Sequence, residues 1–292
     1  MTIFEQELAR CRDSVEHYLS RCFRSDVPQK QLYQAMSYSL NAGGKRVRPI
    51  LTMKFAEACG GSVEQALPFG CGVEMLHTYS LIHDDLPCMD DDDLRRGKPT
   101  NHIVFGECTA VLAGDALQTA AFETVLSANL PAEIRAEAAM ELARDAGANG
   151  MCAGQVLDME GETRPLNLDE LTLVHQKKTG AMLECACVLG ALAGNGTQAQ
   201  INAAREYAAQ IGLAFQIRDD ILDCTSTTEQ LGKPVGSDAA NHKSTFVTLM
   251  GLEKCESLIY ECTQKAKAIT QGAFDDFSFL CEMADWLAGR IV

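Results

Sequence analysis

Two aspartate runs each close a long apolar stretch of helical period, and that pairing leaves few folds open to this chain. The first run is Asp84, Asp85, Leu86, Pro87, Cys88, Met89, Asp90, and the second is Asp219, Asp220, Ile221, Leu222, Asp223. Leu81-Ile82-His83 leads into one and Phe215-Gln216-Ile217-Arg218 into the other, so these carboxylates have apolar neighbours rather than a solvated surface. Carboxylates packed this densely repel one another unless a cation lies among them. Hard divalent cations take oxygen ligands, and Mg²⁺ prefers carboxylates plus substrate phosphates to an all-protein cage. The pair therefore reads as two magnesium clamps, one on each side of a cavity. For Asp91, Asp92 and Asp93 a solvated loop is the favoured reading.

Apolar residues recur at helical spacing along nearly the whole sequence. Phe4, Leu8, Cys11, Val15 and Leu19 form one face of a first helix, with Pro28 beyond its end, and residues 32–40 continue as a second. Residues 41–49, with two glycines and a proline, read as a loop. Ser62-Val63-Glu64-Gln65 and Thr197-Gln198-Ala199-Gln200 have the spacing of capping boxes and open the stretches that end at Asp84 and Asp219. Residues 90–100 are charged and loop-like. Residues 107–128 predict a nearly all-apolar helix buried on several sides, and 131–148 a more amphipathic one. Residues 167–193 predict a helix bent at Lys178-Thr179-Gly180. The polar segment 225–241, containing Gly and Pro, reads as a mobile loop, and 253–268 and 275–289 as closing helices. Neither strand alternation, nor a linker, nor a repeat of fixed period is evident. The expectation is one all-α domain over residues 1–292, a large helix bundle with its site in the core.

A net charge of -15 argues against a nucleic-acid partner and an anionic membrane surface. No apolar run reaches bilayer length, so no membrane anchor is expected. Met1-Thr2-Ile3-Phe4-Glu5 lacks the basic and apolar regions of a signal peptide, and a cytoplasmic location follows as an expectation. The 13 cysteines contain no CxxC pair. They read as reduced packing residues, with Cys59, Cys71, Cys108, Cys185 and Cys187 at apolar helical positions; a disulfide or zinc framework is the weaker reading.

On a helix Asp219 and Asp223 share a face, as do Ser80, His77 and Asp84. The loop Gly43-Gly44-Lys45-Arg46-Val47-Arg48-Pro49 lets backbone approach a ligand and offers three cations to phosphate oxygens. Arg95-Arg96-Gly97 is a second basic cluster, and Lys177, Lys178, Lys233 and Lys243 are further candidates. Basic loops are commonly just solvated, but beside carboxylates in so acidic a chain they suggest diphosphate recognition. No Walker loop or Rossmann glycine fingerprint occurs, which argues against a nucleotide. His77 reads equally as a core histidine and as a ligand-binding one. Nothing has the spacing of a zinc site, and no serine or cysteine sits in a nucleophile motif.

Together these motifs resemble the short-chain trans-isoprenyl diphosphate synthases, above all the bacterial farnesyl type. The resemblance runs from about Ala35 to Leu252. It rests on GGKRVRP at 43–49, HTYSLIHDDLPCMDDDDLRRGKPT at 77–100, FGE at 105–107, LAGDALQ at 112–118, GQVLD at 154–158, KKTG at 177–180 and FQIRDDILD at 215–223. Two aspartate motifs in this order, with an arginine pair after the first, are very specific. The resemblance implies antiparallel helices around a deep cavity, a homodimer, and isopentenyl and allylic diphosphates as substrates. It implies head-to-tail condensation by allylic ionisation, attack of the isopentenyl double bond, and proton loss. Three Mg²⁺ are implied, two on Asp84 and Asp90 with Asp85 nearby, and a third on Asp219 supported by Asp223. Arg95, Lys178, Lys233 and Lys243 would grip the allylic diphosphate. Lys45, Arg48, His77 and Arg96 would hold isopentenyl diphosphate, and Thr179 and Gln216 would face the allylic cation.

Product length should follow cavity depth. Tyr79 precedes Asp84 by five residues, about 7.5 Å deeper along a helix. The family associates an aromatic there, with the two extra residues Cys88 and Met89, with a fifteen-carbon product; the alternative is that Tyr79 only packs in the core. The C-terminus, including Arg290, offers no convincing basic tail to close the site. Three rivals stay open: a twenty-carbon synthase, a class I terpene cyclase, and a non-catalytic prenyl synthase subunit. The second aspartate motif and the GGKRVRP loop argue against the cyclase, and retention of both motifs argues against the subunit.

Overall fold

Caps and breakers in the sequence set where each helix begins and ends. The computed structural model describes residues 1–23, 26–225 and 244–289. Helix α1 (Ile3–Leu19) opens on Thr2, whose hydroxyl accepts the Glu5 N–H at 3.1 Å while the Glu5 carboxylate accepts the Thr2 N–H at 2.7 Å. Helices α2 (Lys30–Leu40), α3 (Val47–Ala58) and α4 (Val63–Asp84) follow. A two-residue hairpin, β1 (Leu94–Arg95) and β2 (Lys98–Pro99), separates them from α5 (Asn101–Phe105), α6 (Glu107–Leu126), α7 (Ala132–Ala146) and α8 (Met151–Gly161). Helix α9 (Leu168–His175) runs through a π-turn, Gln176–Gly180, into α10 (Ala181–Ala193). Helix α11 (Gln198–Thr225), α12 (Phe246–Met250), α13 (Leu252–Ala273) and α14 (Ser278–Gly289) complete the described chain.

The fold is all-α, as expected. Helix α4 packs along α6 and α11 along α13, while α10 lies against α3, α4, α7 and α11. Apolar faces of α4, α6 and α10 meet in one core cluster containing Phe69, Leu76, Leu117 and Leu189. A second joins α3, α11 and α14 around Phe55 and Tyr207, whose buried hydroxyl donates to the Leu280 carbonyl at 2.8 Å. These two packed clusters hold α4 and α11 so that both aspartate runs emerge at fixed helix positions.

The capping signals are confirmed. Ser62 Oγ accepts the Gln65 N–H at 3.3 Å at the head of α4. Thr197 and Gln200 exchange the reciprocal bonds of a capping box before α11, at 2.9 and 3.3 Å. The predicted bend at 178–180 is the π-turn, whose five-residue spacing re-aims the side chains of Gln176–Gly180.

Four expectations need correction. The glycine-rich loop is shorter than 41–49, because α3 starts at Val47; Pro49 sits in its first turn, where a missing N–H costs nothing. Helix α6 is not buried on several sides, since Val111, Leu112 and Leu126 are exposed on its outer face. Cys108, expected in the core, is exposed at the start of that same helix. The charged segment 90–100 carries a short antiparallel ladder, Leu94 against Pro99 and Arg95 against Lys98. Among the described residues the cysteines form no disulfide. Among the described residues, no helix is long and apolar enough to cross a membrane. The expected loop at 225–241 falls almost entirely outside the described residues, as do Lys233, Lys243 and Arg290.

Candidate active site

Helix α4 delivers the first aspartate run at its C-terminal end. Asp84 is its last residue and Asp85 its C-cap. The Asp90 N–H donates to the Asp84 carbonyl at 2.9 Å, so the five intervening residues curl back and return the third aspartate to the first. Asp85 is buried and paired: Arg95, set by β1, places Nε at 2.6 Å and Nη2 at 2.5 Å from its Oδ1. A looser contact at 3.4 Å ties Arg95 to Asp92. Burial pushes the Asp84 carboxyl up to about 6; Lys178 opposes this most, Asp90 and Asp85 add repulsion, and Arg95 offsets part of it.

Lys178 thus connects the first run to a second wall. Its Nζ donates to Asp158 Oδ2 at 2.7 Å, from α8. Helix α8 can come this close to the π-turn because residue 154 is glycine: a Cβ there would lie 2.1 Å from the Lys178 backbone nitrogen. A cavity of about 290 Å³ is lined by Asp158, Lys178, Thr179, Gln216, Asp219 and Asp223, among others. Gln216 Nε2 reaches Asp219 Oδ2 at 3.4 Å, one turn along α11. Asp220, the middle member, does a different job: its Oδ2 accepts the Phe246 N–H at 2.6 Å and so holds the start of α12. The His175 ring stacks on Phe246 with centroids 5.3 Å apart, and burial lowers its pKa to about 4.

The basic loop divides its cations between structure and site. Arg46 takes a left-handed conformation (φ 50) and turns inward. It donates to Glu16 at 2.7 Å, to buried Glu74 at 2.7 Å and to the Leu40 carbonyl at 2.6 Å. Arg48 points elsewhere, and its Nε is buried with no partner among the described residues. Gly44, at φ +126, leaves room for Arg96: a Cβ there would lie 2.8 Å from its guanidinium carbon. Arg96 also donates to the Gly43 carbonyl. His77 is held neutral, first by burial and then by Arg48, Arg96, Arg95 and Arg46. Burial also lowers the pKa values of Arg48 and Arg96, which repel one another. Arg46 and Arg95 are paired with carboxylates, but Arg48 and Arg96 have no ion pair among the described residues, and two such cations beside a neutral imidazole suit an anion. Lys45, in the same loop, is exposed.

Tyr79 is buried on the inner side of α4, one turn before His83, which its ring meets edge-on at 5.5 Å. Its hydroxyl lies 3.5 Å from Cys152 Sγ on α8, and burial raises its pKa.

The structure therefore gathers Asp84, Asp85, Asp90 and Arg95 at one wall, and Lys178, Thr179, Gln216, Asp219 and Asp223 around the neighbouring cavity. Arg48, His77 and Arg96 form a third group. Sequence reasoning gave Asp158 and His175 no part in the site, although GQVLD was a recognised motif. Among the described residues, neither aspartate run forms a group of three carboxylates with ligand atoms within 4.8 Å. The one group that does is Glu141, Asp145 and Glu184, where Glu141 and Asp145 have the i, i+4 spacing of a shared helix face.

The chain is similar to known proteins. The polyprenyl synthetase family model matches residues 29–274. Farnesyl diphosphate synthase of Bacillus subtilis (strain 168) is 45% identical over 287 residues, covering 97% of this chain and 97% of that protein. The chloroplastic heterodimeric geranylgeranyl pyrophosphate synthase large subunit 1 of Arabidopsis thaliana is 46% identical over 283 residues, 93% of this chain and 76% of that protein. The apo crystal structure of an FPP/GFPP synthase from Zymomonas mobilis superposes with a TM-score of 0.88 at 34% identity, covering 98% of this chain and 99% of that one.

Proposed function

The chain belongs to the polyprenyl synthetase family, and from that premise we propose that it is a farnesyl diphosphate synthase. It is a prenyltransferase, joining isopentenyl diphosphate head-to-tail to dimethylallyl and then geranyl diphosphate. Likeness to bacterial farnesyl diphosphate synthases along nearly the whole chain carries this reading. The placement of Lys178 between the aspartate walls supports it.

The carboxylate set fits divalent metal. Its donors are all oxygens, and burial with mutual repulsion raises the Asp84 pKa, so a cation is needed to keep these groups ionised together. Asp84 and Asp90 would hold ions on one wall, and Asp219 with Asp223 on the other. Bound Mg²⁺, three ions per site in our assignment, supplies positive charge that stabilises the departing diphosphate. Lys178, fixed by Asp158, and Arg95, fixed by Asp85, add cationic donors aimed at the same leaving group. Lys233 and Lys243, outside the described residues, join them in the proposal. Lys45, Arg48, His77 and Arg96 bind isopentenyl diphosphate, whose charge answers the cation group around His77. Thr179 and Gln216 present oxygen dipoles to the allylic cation, and apolar helix walls keep water from quenching it. The proton lost at the end passes to the released diphosphate.

Residues 1–292 act as one polyprenyl synthase domain in this reading. The exposed strip Ile103, Val104, Val111 and Leu112 on α5 and α6 supports self-association as a homodimer. Free thiols throughout the chain support a reducing, cytoplasmic setting.

Labelled isopentenyl diphosphate tests the assignment, given with dimethylallyl or geranyl diphosphate and with or without Mg²⁺. Label should appear in farnesyl diphosphate only when metal is present. Failure to incorporate label from either primer would refute the reading.

Tyr79 forms the floor of the product channel in this proposal. Tyr79→Ala should move the main product from fifteen to twenty or more carbons. A pocket contact worth 1–3 kcal/mol per group would change the long-to-short ratio at least about tenfold. Chromatography of the dephosphorylated products reads this out, and an unchanged fifteen-carbon product would assign Tyr79 to packing alone.

A further inference from the structure

The two faces of the π-turn look into different cavities. Lys178 and Thr179 line the one already described, whereas Gln176, Lys177 and Gly180 border another of about 380 Å³. Asp145 from α7 and Glu184 from α10 line this second cavity. With Glu141, one turn before Asp145, their ligand oxygens all lie within 4.8 Å of one another. Two guanidiniums face the three carboxylates. Arg144 donates to Glu141 at 2.8 Å, and Arg205 of α11 pairs with Glu141 at 2.6 Å and with Glu184. Asp145 receives neither bond. It is 7% exposed, lines the cavity, and has a buried Oδ2 with no hydrogen-bond partner among the described residues.

From this geometry we propose a second divalent-cation site, formed by Asp145, Glu141 and Glu184 and separate from both aspartate runs. A buried carboxylate oxygen without a donor is costly, and an ion is the partner that three hard oxygens select. Oxygens gathered within 4.8 Å of one another can draw in around one hard ion of the size of Ca²⁺ or Mn²⁺. Arg205, whose side chain is 36% exposed, can swing to solvent and yield its place between Glu141 and Glu184. An ion there would bridge α7 and α10 beside the turn that carries Lys178. Burial, with repulsion from Glu141 and Glu184, already raises the Asp145 carboxyl to about 7, as expected of a carboxylate awaiting a counter-charge.

Mn²⁺ binding without diphosphate, followed by electron paramagnetic resonance, tests this in the Asp84→Asn/Asp219→Asn protein. That background should bind one Mn²⁺ per chain. Adding Asp145→Asn, or separately Glu184→Gln at its partly exposed position, should weaken binding by more than about tenfold. A background protein that binds no Mn²⁺, or binding unaltered by both further changes, would overturn the site. Thermal melts of the same background give a second measurement. Mn²⁺ should raise its Tm, and adding Asp145→Asn should remove that rise; a background whose Tm is indifferent to Mn²⁺ would also overturn the proposal.

Discussion

Asp84→Ala is expected to lower kcat for condensation by roughly a thousandfold, about 4 kcal/mol of lost transition-state stabilisation. Asp84 ends α4 among apolar neighbours and beside Lys178, so its charge acts where little water competes. Ionisation of the allylic substrate concentrates negative charge on the diphosphate, and losing one of the groups that assemble positive charge there is felt in the transition state. The KM for isopentenyl diphosphate should hardly move, because the proposed assignment gives that substrate to a different group, Arg48, Arg96 and His77. Asp93→Asn is the control. That side chain is exposed in the same run, and its loss should alter kcat by less than about twofold. Steady-state rates at saturating substrate decide the matter. An Asp84→Ala enzyme with near-parental kcat would remove the first aspartate run from the chemistry.

Helix existence was legible because apolar period, caps and breakers all act locally. Thr197 with Gln200, Ser62 with Gln65, and the bend at Lys178-Thr179-Gly180 each needed only a few adjacent residues to be read. The exposed face of α6 was not legible, because an apolar composition does not say which neighbours are present to cover it. The same limit applies to single residues. Asp219 and Asp220 are adjacent and chemically identical and both line the cavity, yet Asp220 also anchors α12 through the Phe246 N–H. Only the return of the chain after residue 243 separates their roles. Asp158 was hidden similarly, since its meaning comes from Lys178, 20 residues away. Glu141, Asp145 and Glu184 come together only when α7 packs on α10. The Glu141–Asp145 spacing was a usable signal, but a common one on any solvated helix.

The GGKRVRP loop shows the same ambiguity most sharply, and it yields the second large effect. Arg46 and Arg48 look interchangeable in sequence, two cations two residues apart, yet their variants should fail in opposite ways. Arg46→Ala strands Glu74, which is 2% exposed, and removes the bond that ties α1 to the loop through Glu16. Breaking a buried ion pair by deleting one partner costs about 3–5 kcal/mol, a large share of a stability of roughly 5–15 kcal/mol. The Tm should fall by about 10 °C, and the surviving folded enzyme should keep a near-parental KM. Arg48→Ala removes a guanidinium whose Nε has no partner among the described residues, and which burial and Arg96 already disfavour. Its Tm should hold or rise slightly, while KM for isopentenyl diphosphate rises about 10- to 100-fold, the worth of one or two hydrogen bonds to a charged group. Melting curves and KM measured on the same two proteins separate the roles. If Arg48→Ala unfolded the chain and Arg46→Ala only weakened substrate binding, the partition of this loop into a structural and a substrate-binding arginine would be reversed.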